Sequence, residues 1–278
     1  MEYIQEALNK ARASAPRLAN RVLETPPRIQ VATARAFVPP PPEPEVLAPW
    51  TPNRVTLDER HLESERIISF AMKDSNHHAF NLLRTRVRRE CKDHGWRSVA
   101  ITSPTAGCGK TMVTLNLAFS LARAPDCRVV VVDLDLRKPA VARTLGIRTG
   151  GSISRYLDGR LEVEECFVQV NNNLIVGVSN LPVMHSSDMM QSPKMADLIS
   201  TITARLSPDV ILFDLPPMST GDDALGFLPK SDATLLVIAA GVTTAAQVDE
   251  CERQITQTQN LLGVVLNKCE GRVEEYYS

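Results

Sequence analysis

The chain has 278 residues, of which 44% are hydrophobic, so it is long enough to bury one large core or two small ones. Its formal net charge of -1 argues against bulk binding of nucleic acid, which needs a basic excess. No apolar run approaches the roughly 20 residues that cross a bilayer, and the N-terminus MEYIQEALNK lacks the apolar core of a signal peptide. We therefore expect a cytoplasmic protein that binds no nucleic acid.

The first 56 residues differ in character from the rest of the chain. Residues 1–24 predict an amphipathic helical segment, which either packs loosely on the body or docks on a partner or an anionic membrane face. Ten of the 19 prolines fall between Pro16 and Pro52, including the run VPPPPEPEV. Such a stretch forms neither helix nor sheet, so residues 25–56 are interpreted as a disordered, semi-rigid linker.

Residues 57–270 have the pattern of an α/β domain. After a helical stretch, HHAFNLLRTRVRRECK, short β-branched runs alternate with segments long enough for crossover helices. The six predicted strands are SVAIT, RVVVVD, LIVGV, DVILFD, ATLLVIAA and LLGVVLN. They are apolar on both faces, as in a parallel sheet that helices cover on both sides. The fold predicted is a doubly wound, mostly parallel sheet with helices on both faces.

The stretch SPTAGCGKT, residues 103–111, joins the first strand to the next helix. Gly107 and Gly109 allow backbone N–H groups to surround phosphate oxygens, and the helix N-terminus adds a favourable dipole. Lys110 is placed to reach the β- and γ-phosphates, and the Thr111 hydroxyl to bind Mg²⁺. Pro104 stands where the full P-loop pattern has a glycine, but this change removes no phosphate donor.

Acidic residues end two further strands, where open α/β sheets bind their ligands. Asp133 and Asp135 follow the second strand, and Asp214 ends DVILFD in the manner of a Walker B aspartate. A single carboxylate at such a place often caps a turn. Three of them beside a lysine and a threonine indicate a nucleoside triphosphate with Mg²⁺.

The motifs SPTAGCGKT, VVVVDLDLRKP and DVILFDLPP resemble the Walker A, A′ and B motifs of the bacterial tyrosine kinases of capsule and exopolysaccharide biosynthesis. The resemblance extends over roughly residues 76 to 270 and implies roles for individual residues. Catalysis would fall to Lys110, Asp135 and Asp133, the last accepting the tyrosine proton, and magnesium binding to Thr111, Asp135 and Asp214. The nucleotide-binding residues would be Gly107, Cys108, Gly109, Lys110, Thr111, Met112 and Asn267.

The chain departs from this family at several places. The family's ring interface uses E-x-x-R-x-x-R, and here His78, Asn81 and Arg84 occupy those positions, so only Arg84 is retained as an oligomer-interface residue. The family's tyrosine cluster is reduced to Tyr276 and Tyr277, which we interpret as phosphoacceptors on a mobile tail, residues 271–278.

Two loop residues also depart from related patterns. Cys108 replaces an acidic residue that is usual in the kinases, and it is either a redox-sensitive thiol or a tolerated small side chain. Thr105 stands where the partition and division-site ATPases have a signature lysine, which favours the kinase branch.

The resemblance implies an ATP-dependent protein-tyrosine autokinase that regulates polysaccharide polymerisation and export. Its expected partner is the cytosolic segment of a membrane co-polymerase, which would recruit it to the inner membrane face, and it is expected to form a homo-oligomer. Two alternatives remain open: a non-kinase ATPase or scaffold of the same machinery, and a positioning ATPase of the partition type.

Overall fold

The computed structural model describes residues 48–70 and 77–269. The predicted N-terminal helix, most of the proline-rich linker and the terminal tyrosines Tyr276 and Tyr277 lie outside these ranges. Within them, no helix is both long and apolar enough to cross a bilayer.

A seven-stranded sheet forms the centre of the domain, and it confirms the predicted doubly wound, mostly parallel architecture. Its strands are β1 (Ser98–Thr102), β2 (Val129–Asp133), β3 (Phe167–Asn171), β4 (Leu174–Gly177), β5 (Val210–Asp214), β6 (Ala233–Ala239) and β7 (Asn260–Asn267). They lie in the order β3-β4-β2-β5-β1-β6-β7. All neighbours run parallel except β3, which is antiparallel to β4 at one edge.

Helices connect these strands. They are α1 (Glu59–Ser64), α2 (His77–His94), α3 (Lys110–Ala122), α4 (Val141–Thr144), α5 (Ile153–Leu157), α6 (Ser186–Gln191), α7 (Pro193–Leu206), α8 (Asp223–Phe227) and α9 (Ala245–Thr256). Short 3₁₀ turns cover Val163–Cys166, Met218–Thr220 and Leu228–Lys230.

Alternate residues of β2 enter two separate cores. Val129 and Val131 belong to the core beneath α3, whereas Val130 and Val132 belong to the core beneath α7. Side chains of successive strand residues point to opposite faces, so helices on both sides leave no polar face on a central strand. This explains why the strands read as continuous apolar runs rather than alternating ones.

The structure differs from the sequence prediction at two places. Strand β3 was not predicted, because at the sheet edge it is short and includes the half-exposed Gln169. The stretch SDMMQSPKMADLISTITARL was predicted as one crossover helix but forms α6 and α7. Pro193 begins α7, and Ser192 caps it by accepting a hydrogen bond from the Met195 amide, so the chain starts a second helix there.

The last residues of the predicted linker pack on the domain. Trp50 lies edge-to-face against Phe167, with ring centroids 5.5 Å apart, and the Arg205 guanidinium lies over its ring. The Val55 amide donates to the Gln169 carbonyl at 2.9 Å, and the Gln169 amide donates to the Asn53 carbonyl at 2.9 Å. Residues 53–55 thus cover the outer edge of β3.

Replacing Trp50 with alanine tests whether this segment stabilises the domain. The change removes the aromatic contact with Phe167 and the cation–π contact with Arg205, so we expect the free energy of unfolding to fall by about 1–3 kcal/mol. Urea denaturation measures it. Val242→Ala, at a side chain that is 61% exposed, is the control and should change stability by less than about 0.5 kcal/mol. Equal stabilities for Trp50→Ala and wild type would show that the segment contributes nothing.

Candidate functional site

The loop between β1 and α3 has the backbone of a phosphate cradle. Gly107 and Gly109 both have positive φ, 82° and 90°, which residues with a side chain rarely adopt. A Cβ on Gly109 would also overlap the side-chain nitrogen Nδ2 of Asn267. Glycine is therefore required at position 109 for two reasons. Because α3 begins at Lys110, the loop presents free backbone N–H groups at a helix N-terminus.

The two acidic strand ends meet beside this loop. Strands β2 and β5 are neighbours, and their register places Asp133 directly opposite Asp214. Lys110 Nζ donates to Asp135 Oδ2 at 2.7 Å, and the Thr111 hydroxyl donates to Asp214 Oδ2 at 2.6 Å. The four residues predicted to handle phosphate and magnesium, Lys110, Thr111, Asp135 and Asp214, are thus brought together.

Asp133 is fully enclosed, with 0% exposure. Its Oδ2 accepts hydrogen bonds from the backbone amides of Ala140 and Val141 at 3.1 and 3.0 Å, and its Oδ1 accepts one from the Asp135 amide at 3.3 Å. In this state Asp133 organises the loop after β2, residues 134–140, which we call the β2 loop. Its role as a proton acceptor remains a prediction.

Burial dominates the ionisation of the site. Burial, reinforced by the neighbouring Asp214 carboxylate, raises the pKa of Asp133 well above its usual value. Burial also raises the pKa of Asp214, to about 6, although Lys110 opposes this. For Lys110, burial alone would lower the pKa, but the attraction of Asp214 and Asp135 outweighs it and raises the pKa. Lys110 is therefore a permanent cation, while two of the three aspartates resist ionisation.

Three other predicted nucleotide-binding residues adjoin the loop. Asn267, at the end of β7, donates from Nδ2 to the Cys108 carbonyl at 2.8 Å. Cys108 itself is 1% exposed. Burial opposes ionisation of its thiol, but hydrogen bonds with Thr105 and Thr243 lower its pKa. Met112 lies in the first turn of α3 and packs on the core beneath it.

Arg84 lies apart from this site, near the opposite end of α3. Its guanidinium donates to the Ser120 carbonyl at 3.2 Å. Asn81, at another position of the ring motif, accepts hydrogen bonds from the Ser120 hydroxyl and the Arg123 guanidinium. Both side chains therefore bind within their own chain. Tyr276 and Tyr277 lie outside the described residues.

Sequence reasoning missed two contributors. Thr114 lies one turn after Lys110, and its hydroxyl donates to the Lys110 carbonyl at 2.9 Å and lies 3.4 Å from Asp214 Oδ1; the i, i+4 spacing is the only signal for it. Asp223, at the start of α8, pairs with Arg137 of the β2 loop. The adjacent Asp222 and Asp223 shortly after the Walker B stretch were a visible but unspecific signal.

The donor set of the site fits magnesium. Hydroxyl and carboxylate oxygens are the hard ligands that this ion prefers, and Thr111, Asp135 and Asp214 provide them. Across residues 48–70 and 77–269, no group of three or more His, Cys, Asp or Glu side chains is arranged to hold a metal ion. Magnesium in phosphoryl-transfer sites typically takes only one or two carboxylates and completes its shell with phosphate oxygens and water.

A glycine-rich loop that leads into a helix, with aspartates at neighbouring strand ends, defines a P-loop NTPase. A family model described as ParA, NUBPL iron-transfer P-loop NTPase, matches residues 96–274. The tyrosine-protein kinase CpsD of Streptococcus pneumoniae is 32% identical over 183 residues, which are 64% of this chain and 78% of that protein. The tyrosine-protein kinase YwqD of Bacillus subtilis is 26% identical over 197 residues, 70% of this chain and 82% of that protein.

A solved structure agrees with these relatives. The kinase domain of the Escherichia coli tyrosine kinase ETK superposes with a TM-score of 0.69 at 25% identity, covering 76% of this chain and 83% of that chain. The chain belongs to the bacterial tyrosine-protein kinases, within the ParA-type P-loop NTPases.

The pKa of Asp214 predicts a pH dependence of stability. Because it rises from 3.8 to about 6 on folding, the folded protein keeps a proton over this range that the unfolded chain has released. Stability falls with pH wherever the folded state binds more protons, so Asp214 makes the ligand-free protein less stable as the pH rises through this window. The unfolding free energy of wild type minus that of Asp214→Asn should fall by roughly 2–3 kcal/mol from about pH 4 to pH 6.

Urea denaturation at each pH, without nucleotide or magnesium, measures this difference. Asp126→Asn is the matched control, because the hydrogen bond from Arg88 lowers the pKa of this exposed aspartate and gives the opposite sign. If the unfolding free energy of wild type minus that of Asp214→Asn instead rises with pH, folding does not raise the pKa of Asp214 and the prediction is wrong.

Proposed function

We propose that this protein is an ATP-dependent tyrosine autokinase that regulates exopolysaccharide or capsule polymerisation and export together with a membrane co-polymerase. The observation that carries the proposal is the assembly of Lys110, Asp135, Thr111 and Asp214 beside a glycine loop. Kinship with proteins named tyrosine-protein kinases supports the choice of tyrosine as acceptor.

The residues of the site would divide phosphoryl transfer among themselves. The loop amides and Lys110 would bind the phosphates of ATP and hold the γ-phosphoryl group in place. Thr111, Asp135 and Asp214 would hold magnesium, which when bound supplies positive charge to the phosphate oxygens. Asp133, in its ionised form, would accept the proton of the tyrosine hydroxyl, as the family resemblance implies, and its raised pKa would help it to hold that proton. Asn267 would contact the adenine after releasing the Cys108 carbonyl.

Binding of ATP requires the present contacts of Lys110 and Thr111 to change. Lys110 is engaged with Asp135 and Thr111 with Asp214, so both must be shared with or transferred to the ligand. The positive charge of magnesium favours ionised carboxylates, which offsets the burial that now favours their protonated forms. The site is therefore poised to bind nucleotide and cation together.

The acceptor tyrosines would be Tyr276 and Tyr277 of a second copy, as the family resemblance implies. The protein would act in the cytoplasm at the inner face of the membrane, held there by the cytosolic segment of the co-polymerase.

A second candidate is a nucleotide-dependent scaffold of the same machinery without kinase activity. Asn81 and Arg84 favour it, because both bind groups of α3 in their own chain rather than facing solvent freely. With His78 in place of the ring motif's glutamate, the usual contact between subunits cannot form, and phosphorylation between copies depends on another arrangement.

Phosphotyrosine mapping by mass spectrometry separates the two functions. The purified protein is incubated with Mg-ATP, with and without the cytosolic segment of its membrane partner. Wild type should carry phosphate on Tyr276 or Tyr277. Lys110→Met should lower the rate at least about 100-fold, because it removes the cation at the transferred phosphate.

The variant with Tyr276→Phe and Tyr277→Phe should keep ATP turnover but lose the phosphate. ATP hydrolysis by wild type without any phosphotyrosine, under both conditions, would refute the kinase and favour the scaffold. Phosphate at other tyrosines would retain the kinase and refute the tail as acceptor.

A further inference from the structure

Arg137 of the β2 loop forms an ion pair with the buried carboxylate of Asp223. Its Nη2 lies 2.8 Å from Asp223 Oδ2, and its Nε donates to the same oxygen at 3.0 Å. The Asp223 side chain is 1% exposed and that of Arg137 is 37% exposed. The pair joins the loop after β2 to the start of α8, which follows the loop after β5, residues 215–222, called here the β5 loop.

The carboxylate of Asp223 is costly to bury, which points to a role other than stability. Asp223 Oδ1 is also buried, and no donor among the described residues reaches it. A buried carboxylate with an unsatisfied oxygen destabilises a fold unless its one partner compensates. Such groups are typically retained where they fix a particular geometry.

The surrounding backbone is shaped to admit the pair. Gly221 has φ 141° and ψ -163°, a conformation that favours glycine. A Cβ there would lie 3.0 Å from Asp223 Oδ2 and 3.3 Å from Arg137 Nη2, so a side chain would press on both partners. The β5 loop thus reaches Asp223 with just enough room for the guanidinium.

The ion pair also belongs to a series of contacts that links three loops around the site. The loop between β1 and α3, residues 103–109, is called here the phosphate loop. It contacts the β5 loop, because the Met218 and Ser219 amides donate to the carbonyls of Ser103 and Pro104 at 2.8 and 3.1 Å. The β5 loop leads to Asp223, which holds Arg137.

The same series of contacts links Arg137 to Lys110, the residue that follows the phosphate loop. Arg137 lies two residues after Asp135, and Asp135 binds Lys110. The Lys138 amide donates to Asp135 Oδ1 at 3.0 Å, so the position of the β2 loop sets the orientation of that carboxylate. The phosphate loop, the β5 loop and the β2 loop therefore hold one another in place.

We propose that Arg137 and Asp223 are a positioning pair that fixes Asp135, and through it Lys110, in the geometry that phosphoryl transfer needs. The proposal deepens the proposed function and rests on it for the reaction concerned. Neither side chain contacts Lys110 directly; the pair acts through the β2 loop. Its loss should lower the rate of the chemical step more than the binding of ATP, because small misplacements of positioned groups cost rate steeply.

Paired substitutions test this role. Arg137→Gln and Asp223→Asn should each lower kcat for ATP turnover and for tyrosine phosphorylation by about 10- to 100-fold, while the KM for ATP stays within about threefold. The double variant should be no slower than the slower single one, because both changes break the same contact. Arg137→Lys keeps the charge but loses the two-nitrogen contact, and it should recover part of the rate.

The matched control is Arg160→Gln. Arg160 pairs with Asp158 at 3.8 Å on the surface, so its loss should leave kcat unchanged. Additive losses in the double variant, or wild-type kcat in Arg137→Gln, would refute the pair as a positioning device. If Asp223→Asn is poorly folded by circular dichroism, Arg137→Gln decides alone, because its side chain is partly exposed.

Amide hydrogen exchange separates this proposal from the kinase assignment. Residues 134–141 should exchange faster in Arg137→Gln and Asp223→Asn than in wild type, while β2 keeps its protection. Wild type that hydrolyses ATP without phosphotyrosine refutes the kinase, and ATP turnover then tests the pair. If wild type shows neither ATP turnover nor tyrosine phosphorylation, the proposed function is refuted. Hydrogen exchange then decides whether the Arg137–Asp223 pair holds the β2 loop in place. Unchanged exchange refutes the pair whatever the activity.

Discussion

Three aspartates at one edge of the sheet share a single lysine, and the rest of the site depends on this imbalance. Asp133, Asp135 and Asp214 are 0%, 4% and 0% exposed, and among the described residues Lys110 is the largely buried cation that pairs directly with this cluster. Full ionisation would leave two uncompensated negative charges in a poorly hydrated place, which is costly. The raised pKa values of Asp133 and Asp214 show how the ligand-free protein avoids this cost, namely by retaining protons. A bound divalent cation would remove the same cost in another way, so the excess negative charge favours binding of nucleotide together with magnesium.

The topology of the sheet creates this imbalance. The order β4-β2-β5-β1 places the two acidic strand ends side by side, with Asp133 opposite Asp214, and β1 delivers the glycine loop next to them. Helix α3 then starts at Lys110, so the lysine enters the carboxylate cluster from the same edge. Burial by helices on both faces supplies the low-dielectric surroundings. The fold therefore determines the electrostatics of the site. If the same aspartates stood at a more exposed sheet edge, their pKa values would not be raised.

The fold and the central site residues could be predicted from the sequence because their signals are local. Each of these signals lies within a few consecutive residues. They are the apolar runs of the strands, the spacing of Gly107, Gly109 and Lys110, and the carboxylates at the strand ends. Contacts between distant segments could not be predicted in this way. The packing of Trp50 on Phe167 and the pairing of Arg137 with Asp223 depend on which strands become neighbours. Arg84 shows the same limit, since its sequence motif indicates a subunit contact whereas its guanidinium binds the Ser120 carbonyl.

Protonated aspartates in the ligand-free site are the most direct consequence of this charge imbalance, and infrared difference spectroscopy detects them. At about pH 6, near the pKa of Asp214, we predict a carbonyl-stretch band of protonated carboxyl groups in wild type without magnesium or nucleotide. Adding magnesium and ADP should abolish most of this band, and Asp214→Asn should weaken it before any addition. A wild-type spectrum without the band, or a band that is unchanged by magnesium and ADP, would contradict the link between buried charge and nucleotide binding.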